Sequence, residues 1–264
     1  MSFFSPQPPR IFGHRGAAGL APENTLPSFA LAAALGVKYL ELDVHATEDG
    51  VIVVIHDPNV DRTTNGSGRV NEITFAQLRS LDAGHHFTTD GRHFPYRGQG
   101  IRVPTLEEVL QAFPALCFNI EVKQGEPPIV DQVVRLLDRH GAAERTVLAA
   151  EFHSIMQEIR RAAGDRIATS SSAEEVVQFL DRFNRNDWAG YEHAGRALQI
   201  PPQFGDIVLV SKETVEAAHR LGIEVHVWTI NDAEEMLRLL DLGVDGIMSD
   251  LPGIAVTAVG SHGS

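Results

Sequence analysis

The sequence predicts an α/β fold in which eight parallel strands and the helices between them close into a TIM-type (β/α)8 barrel. Three observations favour this fold class. The chain has 264 residues, a usual length for one such barrel. Short apolar runs typical of strands alternate with helical patterns along almost the whole chain. About eight strand and helix units can be counted, which favours a closed barrel over an open sheet.

The predicted strands are short and are separated by turn-forming residues. The stretch 184–199 shows no clear period and is assigned to neither class. The strands cover residues 10–14, 39–45, 51–56, 117–122, 146–149, 167–170, 207–210, 224–229 and 246–249.

The predicted helices carry apolar residues three and four positions apart, and many are followed by glycine. Asn24 or Thr25 can cap the first of them. Asn231 or Asp232 can cap the last. The helical patterns cover residues 26–35, 74–81, 105–113, 129–140, 154–163, 173–183, 212–221 and 233–242.

Two segments interrupt this rhythm. Residues 58–103 form a long polar stretch with one modest helical pattern, and an insertion on this side of a barrel overhangs its mouth. We interpret them as a small insertion over the active site of a single domain, residues 1–264. The link 44–51 is too short for a parallel crossover, so the strands that it joins must form an antiparallel hairpin.

The pair Asp49-Gly50 is preferred in two-residue hairpin loops of type I′. With these residues as the loop, Asp43 lies opposite His56 and their side chains share a face. Glu41, two positions earlier, joins them on that face. A slip of one residue would turn one strand's side chains to the other face.

Charged side chains in otherwise apolar strands need a partner or a metal. Glu41 and Asp43 stand in such a strand, and Glu121 ends a later one next to Lys123. Together the three carboxylates form an all-oxygen site suited to Ca²⁺ or Mg²⁺, with Lys123 beside it for an anion. A salt bridge at the hairpin edge, or a lysine that only neutralises Glu121, is the alternative. His45 is more often a packed histidine than a ligand and is left out of the predicted site.

The first strand ends in the sequence Gly-His-Arg-Gly. His14 therefore lies at the carboxyl end of a strand, where barrel enzymes place their chemistry. Arg15 has the planar fork that binds phosphate oxygens in two places. Together with His56 and a metal, these residues suit cleavage of a phosphodiester. One histidine would take a proton from the attacking group, and the other would give one to the leaving alkoxide.

With these residues identified, the sequence resembles the glycerophosphodiester phosphodiesterase (glycerophosphoryl diester phosphodiesterase) family. The matching motifs run in order along nearly the whole chain, which makes a chance resemblance a poor explanation. They are H-R-G at His14, P-E-N-T at Pro22, E-L-D-V and T-x-D-G within residues 41–50, H-D at His56, R-T-T-N-G-S-G-R-V from Arg62, V-P-T-L-E-E-V-L from Val103, E-V-K at Glu121, V-W-T-I-N from Val227 and G-V-D-G-I-M-S-D-L-P from Gly243.

The resemblance implies an enzyme that hydrolyses deacylated phospholipids, such as glycerophosphocholine or glycerophosphoethanolamine, to sn-glycerol 3-phosphate and an alcohol. It also implies attack by the glycerol 2-hydroxyl, which gives a cyclic phosphate that water opens. Trp228 would line the pocket, unless it only packs at the barrel top. The resemblance further implies His14 and His56 as the acid/base pair, Arg15 and Lys123 as phosphate contacts, and Glu41, Asp43 and Glu121 as ligands of one divalent cation, usually Ca²⁺ or Mg²⁺.

The composition excludes several other classes of function. The 35 acidic residues outnumber the 22 of lysine and arginine, so the net charge of −13 repels nucleic acid. Cys117 is the single cysteine, which excludes a disulfide within the chain and a zinc site built from several cysteines. No apolar run approaches the roughly 18 residues of a membrane span, and the first residues lack a signal-peptide pattern. We therefore expect a soluble, cytoplasmic enzyme.

Three alternative functions remain open. A lysophospholipase D or phospholipase-like phosphodiesterase acting on lipids needs an apolar insertion, whereas this insertion is polar apart from Phe87, Phe94 and Tyr96. A glycosidase would use the pair of Glu41 and Glu121 and need no metal. A barrel that only binds phosphorylated ligands would not need two histidines.

Glu151 stands at a position where the family commonly has serine. An extra carboxylate near the mouth is expected to favour a cationic alcohol such as choline. The ratio of turnover of glycerophosphocholine to that of glycerophosphoglycerol should therefore fall in Glu151→Gln. An unchanged ratio would refute this role.

Overall fold

Residues 2–262 are described in a computed structural model, so the first residue and the last two of the predicted domain 1–264 lie outside it. Eight parallel strands form a nearly closed barrel, which confirms the predicted fold class. The barrel strands are β1 (Arg10–Gly13), β2 (Tyr39–Ala46), β4 (Cys117–Val122), β5 (Thr146–Ala149), β6 (Ala168–Thr169), β7 (Ala197–Ile200), β10 (Glu224–Val227) and β11 (Gly246–Ser249). Three short strands lie outside the barrel: β3 (Ile52–Val54), β8 (Gln203–Phe204) and β9 (Ile207–Val208).

Each barrel strand pairs with the next in the chain, and β11 returns to pair with β1. The one weak seam lies between β6 and β7. A parallel bridge of Ser170 with Ala197 closes it, and the amide of Arg196 donates to the carbonyl of Thr169 at 2.8 Å. All carboxyl ends of the barrel strands therefore meet at one face.

The helices surround the barrel, and their apolar stripes face its outer wall. In the helix that begins at Val130, for example, Val133 and Leu137 are fully buried. Burial of each such side chain contributes about 1.5–3 kcal/mol. None of the helices among residues 2–262 is long and apolar enough to cross a membrane. They are α1 (Leu26–Ala34), α2 (Phe75–Ser80), α3 (Leu106–Ala112), α4 (Val130–Arg139), α5 (His153–Ala163), α6 (Ala173–Arg185), α7 (Lys212–Arg220), α8 (Ala233–Asp241) and α9 (Pro252–His262).

Seven of these helices follow the predicted patterns around the barrel, and α2 follows the pattern at 74–81. The caps are Thr25, which accepts from the Ser28 amide, and Asp232, which accepts from the Glu235 amide. No pattern predicts α9, because its alternation of small and apolar residues has no helical period. It packs through Ala255, which is fully buried.

The structure corrects one predicted barrel strand. Residues 207–210 were expected in the barrel, but β9 pairs with β8 in a separate antiparallel hairpin. The place in the barrel next to β10 is taken by β7 instead. Apart from Ile200, all of β7 lies in the stretch 184–199, which shows no clear period. The apolar pattern of β7 is interrupted by Gln199, whose side chain donates to Asn119 across the barrel interior at 2.8 Å.

The hairpin register is also corrected. His45 lies opposite Val53 and the loop has three residues, 48–50, so the strands are slipped by one position from the prediction. Gly50 takes the left-handed conformation at φ 79° that such a loop requires. The Asp49 carboxylate accepts from the amide of Phe75 in the insertion at 2.8 Å, and this tertiary contact holds the longer loop.

Residues 58–103 leave the barrel between β3 and α3 and carry α2 and a 3₁₀ turn at Val70–Glu72. An apolar cluster, separate from the main core, holds them to β3. This cluster includes Val53, Ile55, Leu78 and Val103. The boundaries 58–103 of the insertion stay a prediction.

A buried ion pair closes the end of the barrel where the strands begin, opposite the face at which their carboxyl ends meet. The Arg10 guanidinium is 1% exposed and donates to both oxygens of Glu224 at 2.8 and 2.7 Å, and to the Tyr39 hydroxyl at 2.9 Å. Burial alone would raise the pKa of Glu224, but hydrogen bonds from His226 and Arg10 lower it to about 2.

Arg10→Met keeps the apolar stem but leaves the Glu224 carboxylate without its main partner. We expect a loss of about 3–5 kcal/mol in the free energy of unfolding, measured with urea at pH 7. The exposed pair of Arg166 with Asp138 offers a control, since Arg166→Met should cost no more than about 1 kcal/mol. Because the Glu224 carboxyl has its pKa lowered from 4.5 to about 2, the deficit should shrink as the pH falls through that range. A loss no larger than the control's would contradict this account.

Candidate active site

The predicted site residues meet at the carboxyl end of the barrel. Asp43 and Glu121 are register partners on the neighbouring strands β2 and β4. One oxygen from each of Glu41, Asp43 and Glu121 lies within 4.8 Å of the others. Glu41 and Asp43 are almost fully buried. The structure thus brings the three predicted metal ligands into one cluster.

The cluster concentrates negative charge away from water. Burial, together with the neighbouring Asp43, raises the pKa of Glu41 to about 8. Burial also raises the pKa of Glu121. Asp43 behaves differently, because the charges of Lys123 and Arg15 lower its pKa in spite of its burial. The cluster therefore carries a proton or a cation near neutral pH, and its all-oxygen donor set fits a hard divalent cation.

Lys123 and Arg15 both border the cluster. Lys123 Nζ lies 2.8 Å from Glu121 Oε1 and 3.4 Å from Asp43 Oδ1. Arg15 Nε lies 3.5 Å from Asp43 Oδ2, and it is buried without a hydrogen-bond partner. An unsatisfied buried N–H at this position suits an oxygen of a bound anion.

The backbone at Arg15 is held in a strained conformation. Its φ is 50°, in the left-handed region that non-glycine residues rarely occupy. The strain is offset by the hydrogen bond from its amide to Glu41 Oε2 at 2.8 Å. The following Gly16 has φ 91°, and a Cβ there would collide with Ser28. The turn after β1 thus aims both the amide and the guanidinium of Arg15 at the cluster.

His14 is oriented by a carboxylate. Its Nδ1 lies 2.6 Å from Asp250 Oδ1, and Asn231 donates to the other oxygen of Asp250 at 2.9 Å. An ionised carboxylate only accepts, so the Nδ1 proton of His14 points to Asp250 and Nε2 is left facing the cluster, 3.9 Å from Glu41. Burial opposes the charged imidazole, yet Asp250 and Glu41 together raise the pKa of His14.

His56 is held in the same way. Its Nδ1 lies 2.6 Å from Asp57 Oδ1, and the Arg62 guanidinium donates to Asp57 Oδ2 at 2.6 Å. These hydrogen bonds, the one from Arg62 first, lower the pKa of Asp57 to about 2. The charge of His56 in turn contributes to the lowered pKa of Asp43, so the imidazole lies near the carboxylate cluster.

In the corrected register Ile55 lies opposite Asp43, because the amide of Ile55 donates to the carbonyl of Asp43. Strand alternation alone would therefore turn the His56 side chain away from the face that carries Asp43. Strand β3 ends at Val54, however, and alternation no longer governs the chain beyond it. His45 Nε2 lies 3.1 Å from the carbonyl oxygen of His56 and supports this bend. His45 is buried, which lowers its pKa.

The remaining predicted residues lie on the same face of the barrel. Trp228 directly follows β10 and is 41% exposed. Glu151 and Phe152 follow β5 after one residue and are exposed. No described contact joins them to the carboxylate cluster.

Sequence reasoning missed the residues that position the catalytic candidates. Asp57 and Asp250 stand within the family's motifs, but nothing in their spacing shows that they hold histidines. The sequence suggests Asn24 and Asn231 only as helix caps. The neighbouring residues supply the caps, and Asn24 instead donates to Asp43 Oδ2 at 2.9 Å.

The Glycerophosphoryl diester phosphodiesterase family matches residues 14–254. A glycerophosphodiester phosphodiesterase of Caldanaerobacter subterraneus subsp. tengcongensis is 32% identical over 96% of this chain and 98% of its own. A human lysophospholipase D is 27% identical over 90% of this chain and 82% of its own. A solved phosphodiesterase of Oleispira antarctica, in complex with the product sn-glycerol-3-phosphate, has a TM-score of 0.77 and 28% identity, over 96% of this chain and 97% of that one. The chain therefore belongs to the glycerophosphoryl diester phosphodiesterase family and is an enzyme of the phosphodiesterase class.

Proposed function

We propose that this enzyme hydrolyses glycerophosphodiesters such as glycerophosphocholine or glycerophosphoethanolamine to sn-glycerol 3-phosphate and the free alcohol. One observation carries the proposal: two histidines, each fixed at Nδ1 by a carboxylate, flank a buried cluster of three carboxylates at the barrel mouth. The O. antarctica relative, solved with sn-glycerol-3-phosphate, supports the same product.

The histidines supply acid/base catalysis. With Nδ1 donating to a carboxylate, Nε2 of a neutral imidazole is an acceptor, and Nε2 of the protonated imidazole is a donor. One of the pair, His14 or His56, takes the proton of the attacking hydroxyl, while the other protonates the leaving alkoxide. Asp250 and Asp57 keep both rings in place, and Asp250 also stabilises the charged form of His14.

Glu41, Asp43 and Glu121 would hold one divalent cation, either Ca²⁺ or Mg²⁺. The buried oxygen donors and the raised pKa of Glu41 fit this role, because a bound cation stabilises the deprotonated carboxylates. When bound, the cation supplies Lewis-acid stabilisation of negative charge on the phosphate. Arg15 and Lys123 border the same space and would contact the phosphate oxygens.

The attacking group in this proposal is the 2-hydroxyl of the substrate's own glycerol. Its oxygen bonds to phosphorus as the bond to the alcohol oxygen breaks, and the alcohol leaves with the proton from one histidine. Water then opens the cyclic phosphate with the two histidines in reversed roles. Trp228 would line the pocket against the glycerol or the alcohol.

Release of sn-glycerol 3-phosphate from glycerophosphocholine and glycerophosphoethanolamine tests the proposal. The protein is treated with EDTA, and Ca²⁺, Mg²⁺ or Mn²⁺ is then restored. Release that is lost with EDTA and regained with a cation supports the proposal. Full release in the chelator would overturn the metal dependence. No release with any cation from folded protein would overturn the choice of substrate.

His14→Ala and His56→Ala should each lower kcat by at least about 100-fold, because general acid/base catalysis contributes about 10²–10⁴. Among residues 2–262, the side chain of His140 on the outer helical layer pairs only with Glu107, so His140→Ala is a matched control and should retain kcat. Steady-state rates are measured together with circular dichroism. A near-normal rate in a folded His14 or His56 variant would remove that residue from the mechanism.

Asp43→Asn should weaken cation binding and activity together. In the unsubstituted protein, binding should also release protons below pH 8, because the Glu41 carboxyl, with a pKa of about 8, must lose its proton. The affinity should therefore rise as the pH increases towards 8. Calorimetric titration in buffers of different ionisation enthalpy measures both quantities. An unaltered titration in Asp43→Asn would refute its role as a ligand.

A second candidate function, lysophospholipase D, is favoured by the β8–β9 hairpin. It follows β7 directly and so extends from the carboxyl end of the barrel. Phe204, Ile207 and Val208 are 73%, 63% and 64% exposed. Apolar side chains exposed together mark a contact surface, and beside this mouth they suit the acyl chain of a lysophospholipid. The polar insertion had favoured a water-soluble diester, but these apolar residues lie on another loop.

The hairpin is tested with Phe204→Ser/Ile207→Ser on lysophosphatidylcholine and glycerophosphocholine. Burial of one such side chain is worth about 1.5 kcal/mol or more, so kcat/KM for the lysolipid should fall at least about tenfold. Turnover of glycerophosphocholine should be unchanged. Absence of lysophosphatidylcholine turnover in the unsubstituted protein would exclude this second function.

A further inference from the structure

We propose that Arg62 is a positioning residue that ties the phosphate-binding Arg15 to the acid/base residue His56. This inference rests on the proposed function, which assigns those two roles. Arg62 itself lies in the predicted insertion and touches neither the carboxylate cluster nor the two predicted catalytic histidines in any described hydrogen bond or ion pair.

The guanidinium of Arg62 holds two carboxylates at once. Towards Asp57 it donates from Nε to Oδ2 at 2.6 Å and from Nη2 to Oδ1 at 3.1 Å. Towards Glu23 it donates from Nη1 to Oε2 and from Nη2 to Oε1, both at 2.7 Å. Four of the five N–H groups of an arginine are thus used in two fork-like pairs. A lysine, with one nitrogen, cannot reproduce this geometry.

Each of the two carboxylates holds one group of the site. Asp57 Oδ1 binds Nδ1 of His56 at 2.6 Å, and Glu23 Oε1 accepts from Nη1 of Arg15 at 2.9 Å. A continuous chain of charge-assisted hydrogen bonds therefore runs from Arg15 through Glu23, Arg62 and Asp57 to His56. The orientation of the phosphate contact and that of the imidazole are fixed relative to each other through Arg62.

This arrangement is better explained by positioning than by stability. The Arg62 side chain is 48% exposed, so water screens its ion pairs and weakens their contribution to stability. Fixed geometry matters more, because misplacement of a catalytic group by about 1 Å can cost 100-fold in rate. The segment that carries Arg62 is itself anchored, since the amide of Val60 donates to the carbonyl of Gly68 and the Thr64 hydroxyl donates to that of Val60.

The two histidines depend on different parts of the chain. Asp250, the partner of His14, is held by the neutral amide of Asn231, and both residues follow barrel strands. Asp57, the partner of His56, is held by a cation from the insertion. The insertion therefore contributes to catalysis by fixing one half of the acid/base pair.

Arg62→Gln and Arg62→Lys test the proposal. Both should lower kcat/KM for glycerophosphocholine by about 10–100-fold while the melting temperature changes little. Arg79→Gln is the matched control, since Arg79 lies in the same insertion and makes a fork-like pair with Glu108 away from the site. It should retain full activity. Added methylguanidinium should restore part of the rate in Arg62→Ala and none in His56→Ala.

Two further readouts separate positioning from a merely structural role. Arg62→Gln should cost much less in the His56→Ala background than in the unsubstituted protein, because the two residues act as a unit. The imidazole ¹⁵N–¹H spectrum should show the Nδ1 proton of His56 in a strong hydrogen bond, and this signal should weaken in Arg62→Gln. Activity of Arg62→Gln within twofold of the unsubstituted protein, beside an inactive His56→Ala, would overturn the proposal. Turnover retained by His56→Ala would instead overturn the proposed role of His56.

Discussion

The organisation of this site depends on the mutual repulsion of three carboxylates enclosed at one end of the barrel. Glu41, Asp43 and Glu121 lie within 4.8 Å of one another, and two of the three are almost fully buried. Charge at this density requires cations. Lys123 and Arg15 border the cluster and compensate part of the charge, yet burial and the neighbouring Asp43 still raise the pKa of Glu41 to about 8. The negative charge that fits a divalent cation also holds Lys123 and Arg15, the two proposed phosphate contacts, beside the cluster.

A second level of organisation keeps the proposed catalytic groups in position. Both histidines donate from Nδ1 to a carboxylate, and each of those carboxylates is fixed by a further partner. One support comes from loops after the barrel strands and the other from the insertion, so the site is assembled from a rigid scaffold and an added segment. The strained backbone of Arg15 belongs to the same design, because its amide and its guanidinium both face the acidic cluster.

The fold and the centre of the site could be predicted because they leave local signals. Apolar strands interrupted by Glu41, Asp43 and Glu121 are unusual enough to indicate a buried charged site. The hairpin register was missed because side-chain contacts hold the three-residue loop: the Asp49 carboxylate accepts from the Thr47 hydroxyl and from the distant amide of Phe75. Strand β7 was missed because Gln199, which reaches across the barrel interior to Asn119, interrupts its apolar run. Residues 207–208 are both apolar although they are exposed, so they resemble a buried strand more closely. The partners of the histidines come from side-chain geometry that spacing alone does not encode.

We propose that the cluster holds the cation around which both histidines and the phosphate contacts are arranged. Crystals of the protein grown with Mn²⁺ and sn-glycerol 3-phosphate test this arrangement, with diffraction measured at the manganese absorption edge. We expect one anomalous peak bounded by oxygens of Glu41, Asp43 and Glu121, with the phosphate between it and Arg15. A peak held by other residues, or none beside well-ordered carboxylates, would contradict it.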